Sequence, residues 1–180
     1  MTRHIAFLRA INVGGHTVKM DHLRGLFESL GFAGVETFIA SGNVIFDAKS
    51  TDAQLLERKI EACLKDALGY EVAAFLRTGA AVAAVAAYKP FKPSAMEAAT
   101  ALNVAFLSGP PDDSSVKKLM RLKTDIDDFH VHGREVYWMC QKRQSESTFS
   151  NAALEKALGR PSTLRGLTTV QKIAEKYAAG

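Results

Sequence analysis

Apolar residues fall along the chain in runs whose period changes from segment to segment. Residues 4–11 (HIAFLRAI) are almost all apolar and β-rich, the pattern of a central strand. Asn12 to Thr17 reads as a loop. Met20, Leu23, Leu26, Phe27 and Leu30 then recur at intervals of three and four, which predicts an amphipathic helix stopped by Gly31. Residues 35–40 read as a strand, Ser41-Gly42-Asn43 as a turn, and residues 44–47 as the returning strand. Ser50 or Thr51 is placed to cap a second helix whose apolar stripe is Leu55, Leu56, Ile60, Cys63, Leu64 and Leu68. Gly69 stops that helix, and residues 70–77 give a fourth strand. The order is βαββαβ, a ferredoxin-like plait.

The second half repeats much of this pattern. An Ala/Val helix over 79–88 leads into the punctuated segment Lys89-Pro90-Phe91-Lys92-Pro93. A strand over 102–107 ends at Gly109-Pro110-Pro111, and Asp112 or Asp113 can cap a helix carrying Val116, Leu119, Met120 and Leu122. Residues 129–132 and 135–140 form a hairpin around Gly133-Arg134. Helices over 151–158 and 168–178 flank the breakers Gly159 and Pro161. This reads βαββα, with an extra helix where a clear fourth strand belongs. The expected fold is α+β: two ferredoxin-like (α/β-plait) subdomains with antiparallel sheets, the second incomplete or modified. Their expected bounds are residues 1–88 and 95–180.

Composition narrows the class. Of 180 residues, 47% are hydrophobic and 23% charged, enough apolar material for a core without staples. No apolar run approaches the length of a membrane span, and no secretory signal is read at the N-terminus. Only Cys63 and Cys140 occur, which suits buried free thiols in a reducing compartment, so the expected location is cytoplasmic. Basic residues number 23 and acidic ones 19; residues 1–80 hold nine of each sign, so the basic excess lies in the second half. That leans towards phosphate-bearing partners.

Topology selects one constellation. In a split βαβ unit, strands one and two are parallel and strand three returns between them. The loop leaving strand one and the turn joining strands two and three therefore meet at one edge. This places Asn12, Gly14 and Gly15 near Ser41, Gly42 and Asn43, with Arg9 and Lys19 close by. Small polar residues, exposed N–H groups and a helix start make an anion cradle. The same residues also suit ordinary tight turns. Neither a Walker loop nor a dinucleotide fingerprint is present.

Other candidates read more simply as structure. His130 and His132 share one face of a strand, where a solvated hairpin surface is favoured over two metal ligands. The run Asp125 to Asp128 lacks calcium-loop spacing and reads as an exposed turn. Phe7, Phe46 and Trp138 read as core, with Tyr137 at core or rim. The residues assign no catalytic group, no cofactor and no metal.

The segments Phe7-Leu8-Arg9-Ala10-Ile11-Asn12-Val13-Gly14-Gly15, Lys19-Met20 and Ser41-Gly42-Asn43-Val44-Ile45-Phe46 closely resemble the bacterial family called domain of unknown function 1697. Its pattern has Arg-Gly-Ile-Asn-Val-Gly-Gly, a lysine-methionine pair and Ser-Gly-Asn-Val-Val-Phe; Ala10 departs from the usual glycine. Thr163 to Thr169 keeps the arginine and final threonine of the family's C-terminal run but loses its asparagines and tryptophan. The resemblance implies two plait subdomains and supplies no activity. Arg165 stands between two roles, a ligand contact and an anchor against the first plait.

Three functions follow as expectations. The first is binding of an anionic small molecule or nucleic acid at the edge built by Arg9, Asn12, Gly14, Gly15, Lys19, Ser41, Gly42 and Asn43. The second is a small-molecule enzyme with a site between the subdomains, to which Arg165 contributes. The third is self-assembly or partner binding through sheet edges, which leaves a homo-oligomer open and involves no membrane.

Overall fold

The computed structural model describes residues 1–12, 15–39 and 42–178. Gly14 and Ser41 lie outside the described residues. Those described form two four-stranded antiparallel sheets. The chain divides into one unit of residues 1–84 with the chain from Lys172 onward, and a second of residues 85–171.

The first unit runs β1 (Thr2–Leu8), α1 (Met20–Ser29), β2 (Ala33–Thr37), β3 (Asn43–Ala48), α2 (Ala53–Leu68) and β4 (Ala74–Thr78), with strand order β2-β3-β1-β4. Alternation along the strands puts Ala6, Leu8, Val44, Phe46, Ala74 and Leu76 on one face, where they meet Leu23 and Phe27 of α1 and Leu56, Ile60 and Leu64 of α2. Burying each large side chain of this set contributes about 1.5–3 kcal/mol. Ile5, Phe7, Ile45 and Phe75 on the opposite face are buried too, which is why β1 reads as a continuous apolar run. His4 is buried as well, with Nε2 3.1 Å from the Ser50 carbonyl oxygen. Asp52, not Ser50 or Thr51, caps α2 by accepting from the Leu55 N–H; the Ser50 hydroxyl accepts from the Asp52 N–H instead. At the far end of the chain, Tyr177 packs edge-on against Phe38 and the Lys176 ammonium lies 5.6 Å from the Phe38 ring centre.

Helices α3 (Gly79–Ala87) and α4 (Pro93–Ala98) precede the second plait. It comprises β5 (Ala101–Leu107), α5 (Asp113–Met120), β6 (Asp127–His132), β7 (Glu135–Cys140), α6 (Asn151–Leu158) and β8 (Ser162–Gly166), with strand order β6-β7-β5-β8; α7 (Leu167–Tyr177) follows and passes into the first unit at Lys172. The second plait is complete. Where the sequence pattern shows no clear fourth strand, Ser162–Gly166 pairs antiparallel with β5, Val104 opposite Arg165 and Leu107 opposite Ser162. Five residues with Thr, Arg and Gly among them carry little strand signal; their pairing supplies it.

The two plaits match strand by strand. Ile5-Ala6-Phe7-Leu8 on β1 corresponds to Val104-Ala105-Phe106-Leu107 on β5. Ile5 stands opposite Ile45 and Arg77, as Val104 stands opposite Tyr137 and Arg165. Among the described residues, no helix is long and apolar enough to cross a membrane.

Candidate functional site

At one end of the first unit three connections converge on the C-terminal end of β1. The Leu8 N–H donates to the Gly42 carbonyl oxygen (2.9 Å), which ties the loop after β1 to the β2–β3 turn. The Arg9 N–H donates to the Ala73 carbonyl oxygen (2.9 Å), which ties the same loop to the segment entering β4. The Tyr70 hydroxyl donates to the Ile11 carbonyl oxygen (2.7 Å) and its ring stacks on His16 at 3.9 Å. Gly42 takes φ +81°, and a Cβ there would stand 3.0 Å from Ile11 Cγ2 and 3.2 Å from Leu8 Cβ. Only glycine meets both demands of this joint.

The individual side chains divide by role. Asn12 is exposed, and its Oδ1 accepts from the Val18 N–H (2.9 Å), closing the loop before α1. Asn43 is fully buried; its Nδ2 donates to the Phe38 carbonyl oxygen, and its own carbonyl accepts from the Phe38 N–H. It staples the hairpin. Lys19 is exposed at the start of α1, and its side chain makes no capping hydrogen bond. Arg9 is half-buried and Gly15 exposed. Asp21 in the first turn of α1 is engaged by Arg24 at 2.8 Å. Arg165, the remaining candidate, belongs to the second unit. It is buried on β8 and donates to Thr163 Oγ1 and to the Leu164 carbonyl oxygen, and burial lowers its pKa to about 10.

The second unit repeats the joint with different chemistry. The Leu107 N–H donates to the Arg134 carbonyl oxygen (3.0 Å), the counterpart of Leu8 and Gly42. Here, however, Asp112 caps α5 by accepting from the Ser115 N–H at 2.7 Å, bonds to Ser115 that hold its carboxyl below the usual range. Asp113 adds a second acid to the first turn. Gly109 is held by Arg160, whose Nη1 donates to its carbonyl oxygen at 2.8 Å.

Two readings change with the structure in view. Asp127 is buried rather than exposed, and its carboxylate accepts from Trp138 Nε1 (2.9 Å), Thr124 Oγ1 (2.9 Å) and Ser147 Oγ (2.8 and 2.9 Å). Burial pushes this carboxyl up, but the donors outweigh it and its pKa lies below the usual value. His130 is half-buried while His132 stays exposed; Tyr88 stacks on one side of His132 at 3.9 Å, and its hydroxyl lies 2.8 Å from His130 Nε2. Among the described residues, no group of three His, Cys, Asp or Glu is placed to hold a metal ion. Both thiols are free; Cys140 is buried, which raises its pKa.

No curated protein matches the chain. The conserved bacterial protein SP0830 from Streptococcus pneumoniae is similar in structure, with a TM-score of 0.76, 24% identity and 97% of each chain covered. At this identity the likeness is one of fold. The family model described as "Protein of unknown function (DUF1697)" matches residues 1–137, which include the whole rim from Arg9 to Asn43, and the chain belongs to that family.

Proposed function

We propose that the protein is a cytoplasmic binding protein for a phosphate-bearing ligand, held at the rim of the first unit by Arg9, Asn12, Gly15, Lys19 and Gly42. One observation carries this reading: the same backbone joint occurs twice, and the two helix starts beside it are capped differently. In the second the helix start is closed by the Asp112 carboxylate. The first sets a half-buried arginine and an exposed lysine beside a helix whose N-cap side chain leaves the start uncapped. A helix start and fixed cations together attract an anion. Asn43 serves by holding the turn, since its side chain is committed to Phe38. Free thiols and a mildly basic charge suit a cytoplasmic protein that meets phosphorylated metabolites.

The test is calorimetric titration of the full chain with inorganic phosphate and inorganic triphosphate at low salt. Binding that weakens with added salt and falls at least about tenfold in Lys19→Ala supports the reading. Equal affinity in wild type and Lys19→Ala, or no binding to either anion, overturns it. A single-stranded RNA that binds where triphosphate does not would assign the rim to nucleic acid instead.

A further inference from the structure

We propose that the cavity between the end of α2 and the start of β4 holds the ammonium end of a phosphorylated amine whose phosphate lies at the neighbouring rim. The inference rests on the phosphate reading above and names the ligand class. The cavity measures about 240 Å³ and is lined by Glu61, Ala62, Lys65, Glu71, Val72 and Ala73. Ala73 joins it to the rim, because its carbonyl oxygen accepts from the Arg9 N–H. The volume lies below the roughly 300–1,000 Å³ of pockets that take drug-sized ligands. A fragment of a few carbon atoms is enough to fill it.

Charge decides what kind of fragment. Lys65 Nζ lies 3.4 Å from Glu71 Oε1, so the one lysine on the lining is matched by one glutamate. Glu61 remains. Its carboxyl is half-buried, and the Ala74 N–H reaches Oε1 only at 3.4 Å. Burial and then the nearby Glu71 charge raise its pKa, against the weak bond from Ala74. An ammonium group entering the cavity reverses that pressure by pairing with the ionised carboxylate. A cationic amine at Glu61 and a phosphate at Arg9 would span two adjoining sites of opposite charge.

The test uses ethyl phosphate and O-phosphoethanolamine, which differ by one ammonium group, titrated into the full chain and into Glu61→Gln. Wild type should bind O-phosphoethanolamine about tenfold or more tightly than ethyl phosphate. Glu61→Gln should abolish that difference without weakening ethyl phosphate binding. Equal affinity for the two probes in wild type, or a preference that survives Glu61→Gln, overturns the inference and leaves the phosphate reading standing if ethyl phosphate binding still depends on Lys19. Failure of both probes and of inorganic phosphate to bind overturns both.

Discussion

The two plaits share strand order, the register around their first strands and the joint that ties the first strand to the central turn. Leu8 bonds to Gly42 as Leu107 bonds to Arg134. Yet Gly42 is wedged against Ile11 and Leu8, whereas Gly133, in the matching turn at φ +61°, faces open space. One rim carries Arg9 and Lys19, the other Asp112 and Asp113. The conserved part is backbone geometry, which strand pairing enforces. The variable part is side-chain chemistry, which no fold dictates. The second unit instead puts its polar specialisation inside, in the carboxylate knot around Asp127.

The largest effect should come from that knot. Asp127→Ala strips the acceptor from buried Trp138, half-buried Ser147 and exposed Thr124, and should cost about 2–4 kcal/mol. Trp138, the single tryptophan, reports the loss directly as a shifted thermal transition in its fluorescence. Asp127→Asn should cost less, and an Asp127→Ala protein that melts like wild type would show the knot to be decorative. Next comes the joint. Gly42→Ala forces a Cβ into contacts of 3.0 and 3.2 Å at positive φ and should cost about 1–3 kcal/mol. Gly133→Ala, with the same sign of φ but no crowding, should cost about 1 kcal/mol or less. Equal costs, read from chemical denaturation, would erase the contrast between the turns.

The smallest effect separates the units by pH. Burial lowers the His4 pKa below its ordinary value, so the unfolded chain binds its proton first as pH falls. The stability from neutral His4 is present above about pH 6.5 and is lost as pH drops through the folded value. Asp127 is likewise depressed, so its contribution is lost only in the carboxylate range, below about pH 4. Hydrogen exchange should therefore show β1 and β3 amides losing protection at mildly acidic pH before those of β5 and β7. His4→Phe should remove the first step; its persistence would assign the step to another group.

How much of this was readable in the sequence follows from the range of each interaction. The meeting of the loop after β1 with the turn at Gly42 was, because split βαβ topology allows one placement for them. Strand β8 was not, since Ser162–Gly166 becomes a strand only beside β5. Asp127 resembled its exposed neighbours because burial depends on Trp138 and Ser147, 11 and 20 residues away. Tyr88 lies 42 residues from His130, and no local period announces that contact. The distinct environment of Glu61 was likewise hidden, as it sits among charged residues on a helix and is set apart only by its place beside β4.

The membership of Tyr177 and Lys176 in the first unit has a consequence for how the protein is made. Residues 1–84 leave the ribosome long before the partners that complete their unit. At about 5–20 residues per second, the ninety or so residues between them take roughly 5–20 s to synthesise. For that interval Phe38 waits without the Tyr177 ring it meets in the finished chain. The core cluster from Ala6 to Leu76 can gather during that interval, while the contact of Phe38 with Tyr177 comes only with the finished chain. The last contacts of the first unit are thus the last to be made.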